Sequence, residues 1–468
     1  MSLSVGVAVA SLSGGASAMD LVEAVRLVVE THPEINKASS NKQAIEFELD
    51  QARGRYLPSV DLEVRGGVGA RDGSSSSARD AEHNPLFGAE GRATLTQMVF
   101  DGGAVDSDVE MQGYRIDGAA SRVRERSEFL GLEGARVYID FLRVQSLVGL
   151  AEDNLSYHRG KLAEIRQGAD SGVLSEADLQ QARERVLSAE NSLTLAQLDL
   201  ENGRIAFIDV VGMPPEGLGD PAALNHLLPA SLEAALGDAR QANPRIDFAQ
   251  SDIGASEAMY RGSNAPFLPQ VSLEAYARTG KDVAFEHGTN REAWAGVVVR
   301  YNLNGGIDTA NRQEQLRRVS ESRSALHEQV RFVEKEVRIS WAQLESERRR
   351  LPLLESELAS SRRLLDLYQR EFDVGQRTLL DLLNTRNAVY QAEIDLASGR
   401  YVELYAQYRV LGSMGTLLAS LGVQPPVDSV AYAAQNTGAP AVGTHDNEPR
   451  TDPWTPTSGL FGGKQVEP

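Results

Sequence analysis

The feature that most constrains this chain is that it is written twice. Pro33, Ile35, Leu57, Pro58, Leu62 and Glu63 recur as Pro244, Ile246, Leu268, Pro269, Leu273 and Glu274, each 211 positions later. Asp101-Gly102-Gly103 recurs as Asn304-Gly305-Gly306, and Gly172, Asp178, Leu179 and Arg183 recur as Gly375, Asp381, Leu382 and Arg386, each 203 positions later. Ordered markers at a constant offset point to a tandem duplication. The period is far too long for a solenoid. Two copies of one large unit predict a pseudo-symmetric structure.

Each copy carries the same succession of patterns. Leu21, Ala24, Val25 and Val28 stand at helical spacing, and Pro33 can open a second helix running to about residue 56. Val60, Leu62 and Val64 then alternate with polar residues. A polar loop around Ser74–Ser77 follows, and a second alternating run, Ala93 to Phe100, ends at the Gly-Gly turn. That is a β-hairpin over about 59–100. Its counterpart spans about 270–303, and a shorter loop near 281–291 absorbs the drop in offset. A long helix begins after each Gly-Gly turn, over 104–168 and 307–372. Each would be about 100 Å long at 1.5 Å per residue. Val123, Leu130, Val137 and Val144 mark heptads, and Pro352 predicts a kink in the second copy. The returning helices carry heptad seams, Leu179, Ala182, Val186, Ala189 and Leu193 in one and Leu382, Thr385, Val389, Ala392 and Leu396 in the other. The helical hairpins therefore cover about 104–208 and 306–419. The repeats span 19–210 and 231–420. Residues 424–468, rich in Pro, Gly, Asn and Thr, predict a disordered tail.

Composition narrows the setting. The net charge of -19 argues against nucleic acid, which needs clustered Lys and Arg. The chain has no cysteine, so disulfides, thiolate metal sites and a lipidated cysteine are excluded. Residues 1–18 are a signal-like segment, a short apolar run before Ala16-Ser17-Ala18, although no Lys or Arg precedes Arg26. A frayed terminus is the alternative. No apolar run of about 18 residues occurs, so any membrane crossing must use strands. Four strands cannot close a barrel, whereas three chains would supply twelve.

Taken together, the duplicated Pro-x-Ile and Leu-Pro-x-x-x-Leu signatures, the Gly-Gly turn and the Val374-Gly375 to Asp381 segment resemble the TolC family of outer-membrane channel proteins. The likeness covers about residues 20 to 420. It implies an α+β membrane protein of two tandem repeats, a homotrimer whose twelve-stranded β-barrel sits in outer-membrane lipid and continues as a long α-helical barrel into the periplasm. It also implies two partners, a periplasmic adaptor and an inner-membrane transporter of ABC type. Thr31-His32-Pro33-Glu34-Ile35 and Gly54-Arg55-Tyr56-Leu57-Pro58 look like the branch that exports proteins by type I secretion. Small-molecule or multidrug efflux is the alternative, and a soluble periplasmic coiled-coil scaffold is the reading of another class.

The same resemblance implies a periplasmic gate. Asp381 matches a ring aspartate, and the next ring position is Asn384 here. Asp178 and Arg377 match a latch pair, with Phe372 in place of a latch tyrosine. The alternative for Asp381 is a helix-start aspartate that satisfies backbone donors, and for Asp178 and Arg377 an ordinary solvated pair. Gly172, Val173, Leu174, Ser175, Gly375, Gln376 and Thr378 are the implied adaptor-docking tips. No catalytic constellation, metal motif or cofactor motif is present in the sequence. The scattered histidines read as surface residues. Trp294, Tyr301 and Phe100 are candidates for a membrane-interface belt, with packing inside the assembly as the alternative.

Overall fold

The computed structural model describes residues 19–69, 86–282 and 288–435. The signal-like segment, the Ser74–Ser77 loop and residues 436–468 lie outside them. The first repeat runs α1 (Leu21–Thr31), α2 (Pro33–Gly54), β1 (Ser59–Gly69), β2 (Leu86–Phe100), α3 (Ala104–Asp170) and α4 (Glu176–Val211). The second runs α5 (Leu232–Ala242), α6 (Pro244–Gly262), β3 (Gln270–Lys281), β4 (Thr289–Arg300), α7 (Ile307–Asp373) and α8 (Leu379–Met414), and a short α9 (Leu417–Leu421) follows.

The duplication holds at the level of element length. Helices α3 and α7 are both 67 residues long, and α4 and α8 are both 36. It also holds at the level of single atoms. Arg159 donates to Glu190 at 2.8 Å in the first repeat, and Arg362 donates to Glu393 at 2.8 Å in the second. Both pairs obey the 203-residue offset.

Local chemistry sets the helix ends. Asp20 caps α1 by accepting from the Glu23 amide at 2.7 Å. Pro33 and Pro244 open α2 and α6, where the missing amide hydrogen is no loss. Gly102 adopts φ +76°, and a Cβ there would meet the Ala265 carbonyl oxygen at 2.8 Å. The Gly-Gly turn therefore needs glycine for both conformation and space. Helix α7 runs unbroken through Pro352.

The four strands form one antiparallel sheet in the order β1-β2-β3-β4. Its central pairing, β2 with β3, joins the two repeats. The register separates two faces. Leu62, Ala93, Ala277 and Ala293 share one row, whereas Glu63, Arg92, Arg278 and Glu292 share the adjacent row on the opposite face. The apolar face is uncovered within the chain, with Leu62 79% and Val64 86% exposed. Trp294 pairs in register with Tyr276 and stacks on it, ring centroids 5.9 Å apart. It therefore lies on the polar face rather than in an apolar belt, because position 294 has the parity of 292 and not of 293.

The described chain divides into two compact units, one of residues 19–39, 122–246 and 329–429, the other of 40–121, 247–328 and 430–435. The first holds the main core, built on α1 around Tyr138, Phe141, Phe207, Tyr408 and Leu411. Its buried tyrosines also hold the connection between the repeats. The Tyr138 hydroxyl lies 2.8 Å from the Gly219 carbonyl, and the Tyr408 hydroxyl donates to that of Ala222 at 2.8 Å.

The second unit holds the sheet and a smaller core of Leu49, Ala52, Val105, Val109, Ile116 and Ala433. Ala433 belongs to the segment expected to be a disordered tail. That expectation is corrected for residues 424–435. The Asp117 carboxylate accepts from the amides of Tyr432, Ala433 and Ala434 at 2.8, 2.8 and 3.0 Å. The Tyr432 hydroxyl donates to Glu46 at 2.9 Å. One side chain satisfies three backbone donors, so the segment is ordered with no regular structure beyond a single 3-10 turn at Val427–Ser429.

Candidate functional site

The gate expectation falls on the turns that join the long helices to their returns. Both turns are built alike. Helix α3 ends as the amides of Gly172 and Val173 bond back to the carbonyls of Ala169 and Gly168 at 3.0 and 2.9 Å. Helix α7 ends as those of Gly375 and Gln376 bond back to Phe372 and Glu371 at 2.9 and 2.8 Å. Gly172 and Gly375 take φ +76° and +75°, the left-handed conformation that closes a helix. Ser175 and Thr378 then cap α4 and α8.

Asp178 and Asp381 occupy the third position of their helices. The Asp178 amide donates to Ser175 Oγ at 3.1 Å, and the Asp178 carboxylate accepts from the Ser175 amide at 3.0 Å. This is a reciprocal capping box. The Asp381 amide donates to Thr378 Oγ1 at 3.2 Å, and the Thr378 hydroxyl donates to the carboxylate at 2.7 Å. Within one chain, then, each aspartate completes a helix start. Its negative charge also suits the positive end of the helix.

Arg377 does not reach Asp178 within the chain. Its guanidinium donates twice to Glu371, at 2.8 and 2.6 Å, and lies 4.0 Å from the centroid of the Tyr368 ring. The duplication clarifies this arrangement. Leu174, the first-repeat equivalent of Arg377, packs so tightly on Gly168 that a Cβ there would sit 2.6 Å from its Cδ1. At the same structural position, one repeat holds its turn by an apolar contact and the other by charge and an aromatic ring.

The two turns meet at an apolar cluster. Ile165 of α3, Leu179 and Ala182 of α4, and Leu379 and Leu383 of α8 are buried together, with Leu174 and Phe372 packed against them. Phe372 thus contributes apolar surface where a tyrosine would add a hydroxyl. A polar link also joins the two helical hairpins, since Arg185 on α4 donates to Asn384 Oδ1 on α8 at 3.1 Å. Asn384 is therefore held by an arginine that the sequence reading did not single out. Gly172, Val173, Ser175, Gly375, Gln376 and Thr378 are exposed, and Val173 is 79% so.

Further along the helical hairpins the structure brings together three groups, Tyr157 and His158 of α3 and Arg386 of α8, to which the sequence reading gave no shared role. The Arg386 guanidinium lies 4.9 Å from the Tyr157 ring centroid, and His158 packs edge-on to Tyr157 at 5.4 Å. His158 is only 5% exposed, which corrects its assignment to the surface. Burial, and then the charges of Arg386 and Arg185, push its imidazole down to about 4. The signal was present in the heptads. Ala151, Leu155, His158, Leu162 and Ile165 follow one another at steps of four and three.

This architecture agrees with the known proteins the chain resembles. The profile of the outer membrane efflux protein family matches residues 24–212 and 235–416, one stretch in each repeat. The chain belongs to the outer membrane efflux protein family. Its relatives include outer membrane efflux protein BepC of Brucella suis biovar 1 (strain 1330), 25% identical over 333 residues, which are 70% of this chain and 73% of the relative. Alkaline protease secretion protein AprF of Pseudomonas aeruginosa is 24% identical over 421 residues, 86% of this chain and 85% of its own. Outer membrane protein TolC of Escherichia coli (strain K12) is 21% identical over 439 residues, 88% and 85%. A crystal structure of a membrane protein from Pseudomonas aeruginosa shares the fold, with a TM-score of 0.74, 17% identity and coverage of 84% and 90%.

The family is one of outer-membrane channels and not of enzymes. This member is an outer-membrane export or efflux component that extends into the periplasm.

Proposed function

We propose that three copies of this chain form the passive exit duct of a tripartite export system, and that its cargo is protein secreted by the type I route. The observation that carries the duct is the sheet. One face is apolar and uncovered, the other is charged, and β1 and β4 each have a free edge among the described strands. In lipid such edges must pair, and the smallest closure that gives a common barrel uses several copies. Helix α4 adds a second observation. Leu187, Leu195, Leu198, Ile205 and Ile208 are exposed on it, away from the buried seam. This stripe suits a neighbouring copy in a helical barrel.

The secretion reading is supported by Thr31-His32-Pro33-Glu34-Ile35, by Gly54 to Pro58, and by the relative AprF, an alkaline protease secretion protein. BepC favours the second reading, small-molecule efflux. In this scheme an inner-membrane transporter of ABC type and a periplasmic adaptor deliver the cargo, and the exposed tips 172–175 and 375–378 dock the adaptor. Asp381 of three copies forms a carboxylate ring at the gate. Arg377, Asp178, Asn384 and Phe372 set how readily it opens, with Arg377 exchanging Glu371 for Asp178 of a neighbouring hairpin.

Deleting the gene and comparing the culture medium with drug susceptibility tests the cargo. Loss of a secreted protein at unchanged drug susceptibility is expected. Normal secretion with hypersensitivity to small toxic compounds would reassign the duct to efflux. Recovery solely as a soluble monomer would refute the duct itself.

A further inference from the structure

The charged face of the sheet contains a pairing that strand chemistry disfavours. Arg92 on β2 stands directly opposite Arg278 on β3, at the junction between the repeats. Like charges in cross-strand register are destabilising. Glu63 flanks Arg92 and Glu292 flanks Arg278, so the full row reads Glu63-Arg92-Arg278-Glu292.

The flanking carboxylates do not neutralise the row evenly. Glu292 binds Arg278 at 2.5 Å. Glu63 turns along its own strand to Arg65, 2.8 Å away. Among the described residues Arg92 forms no ion pair, and its guanidinium lies 5.0 Å from the Tyr276 ring centroid. The Nε atoms of both Arg92 and Arg278 are buried without a hydrogen-bond partner.

A local rule broken at a packed, ordered position marks a functional site more often than an error. Two adjacent guanidiniums with free donors, one braced on an aromatic ring, match the paired acceptor oxygens of a carboxylate or a phosphate. We propose that Arg92 and Arg278 form an oxyanion-binding station on the lumenal face of the barrel, taking carboxylate- or phosphate-bearing groups in transit. This rests on the closed-barrel reading, since only closure turns the charged face toward a lumen. It gives an otherwise acidic protein a local preference for anions.

The test uses the full-length protein in planar bilayers. Reversal potentials are measured in a potassium chloride gradient, and current block is titrated with inorganic phosphate and with citrate. Arg92→Gln is the principal variant because it breaks no ion pair, and Arg92→Lys keeps the charge without the planar fork. Arg92→Gln is expected to lower anion preference by about twofold or more and to weaken block by both anions. Arg92→Lys should retain the reversal potential and lose most of the block. Block by phosphate alone would mark a phosphate-specific station, and block by citrate alone a carboxylate-specific one. Wild-type channels that neither anion blocks would overturn the station. So would intact Arg92→Gln trimers with unchanged selectivity and block, which would leave the barrel standing. Wild-type protein that forms no conducting pore would overturn the barrel reading, and the station with it.

Discussion

Three ionisable residues carry the arguments at the smallest scale. Asp381 has two roles that a substitution can separate, because asparagine keeps the cap and removes the charge. Asp381→Asn is expected to weaken block of the conducting pore by a trivalent cation about tenfold, as loss of a carboxylate ring requires. Equal block in both proteins would remove Asp381 from the gate.

Glu128 is a second case. It lies buried beneath α9, and its carboxylate accepts from the Leu418 amide at 3.3 Å. Burial outweighs that bond and raises its pKa to about 7. A carboxyl group raised in the folded state stabilises below its unfolded value, about 4.5, and that contribution is lost as pH rises through 7. Glu128→Gln should therefore stabilise the protein at pH 8 by on the order of 3 kcal/mol and change little at pH 4. Thermal unfolding in detergent at the two pH values checks this, and an equal shift at both would refute it. His158 has the opposite sign. Its depressed pKa gives stability above about 6.5 that is lost as pH falls through 4.

Among the elements, the described segment 430–435 is the least expected. It has no repeating backbone ladder, yet Asp117 on α3 takes three of its amides and the core takes Ala433. Hydrogen bonds to a charged group contribute more than neutral ones, about 1.5–3 kcal/mol each, and they act here as one cluster. Asp117→Ala should lower the local opening energy of 430–435 by about 3 kcal/mol or more while leaving α4 and α8 intact. Hydrogen exchange resolved by peptide would show protection lost at 432–434. Unchanged protection there would mean that packing of Ala433 and Tyr432 alone holds the segment.

For the whole molecule the deciding term is unburied apolar surface. A single chain leaves Leu62, Val64, Leu195 and Leu198 open. Contiguous exposed apolar surface of this kind marks a membrane face or an interface. The sheet surface belongs to lipid in the proposed assembly, and the α4 stripe belongs to another copy. Leu195→Glu combined with Leu198→Glu should therefore abolish the heat-modifiable oligomer on gel electrophoresis, while leaving the β-sheet content of the extracted chain near that of the wild type. A persisting trimer would show that α4 does not form the contact between copies.

Much of this protein is written locally and can be read without coordinates. Helix length, strand alternation, the left-handed glycines at 172 and 375 and the capping pairs at 175–178 and 378–381 depend on neighbours a few residues away. The constant offset then doubles every such signal. Long-range partnership is a different matter, because nothing in the spacing of residues specifies it. That β2 pairs with β3, so that Arg92 faces Arg278, depends on hydrogen bonds between strands far apart in the chain. Arg377 lies near both Glu371 and Asp381, and in the fold it pairs with Glu371 over the Tyr368 ring. Residues 432–434 looked disordered because their amides are satisfied by one side chain of α3 rather than by a periodic partner. Short-range sterics and periodicity determined the elements, whereas the three-dimensional fold decided which charges meet and which amides find a carboxylate.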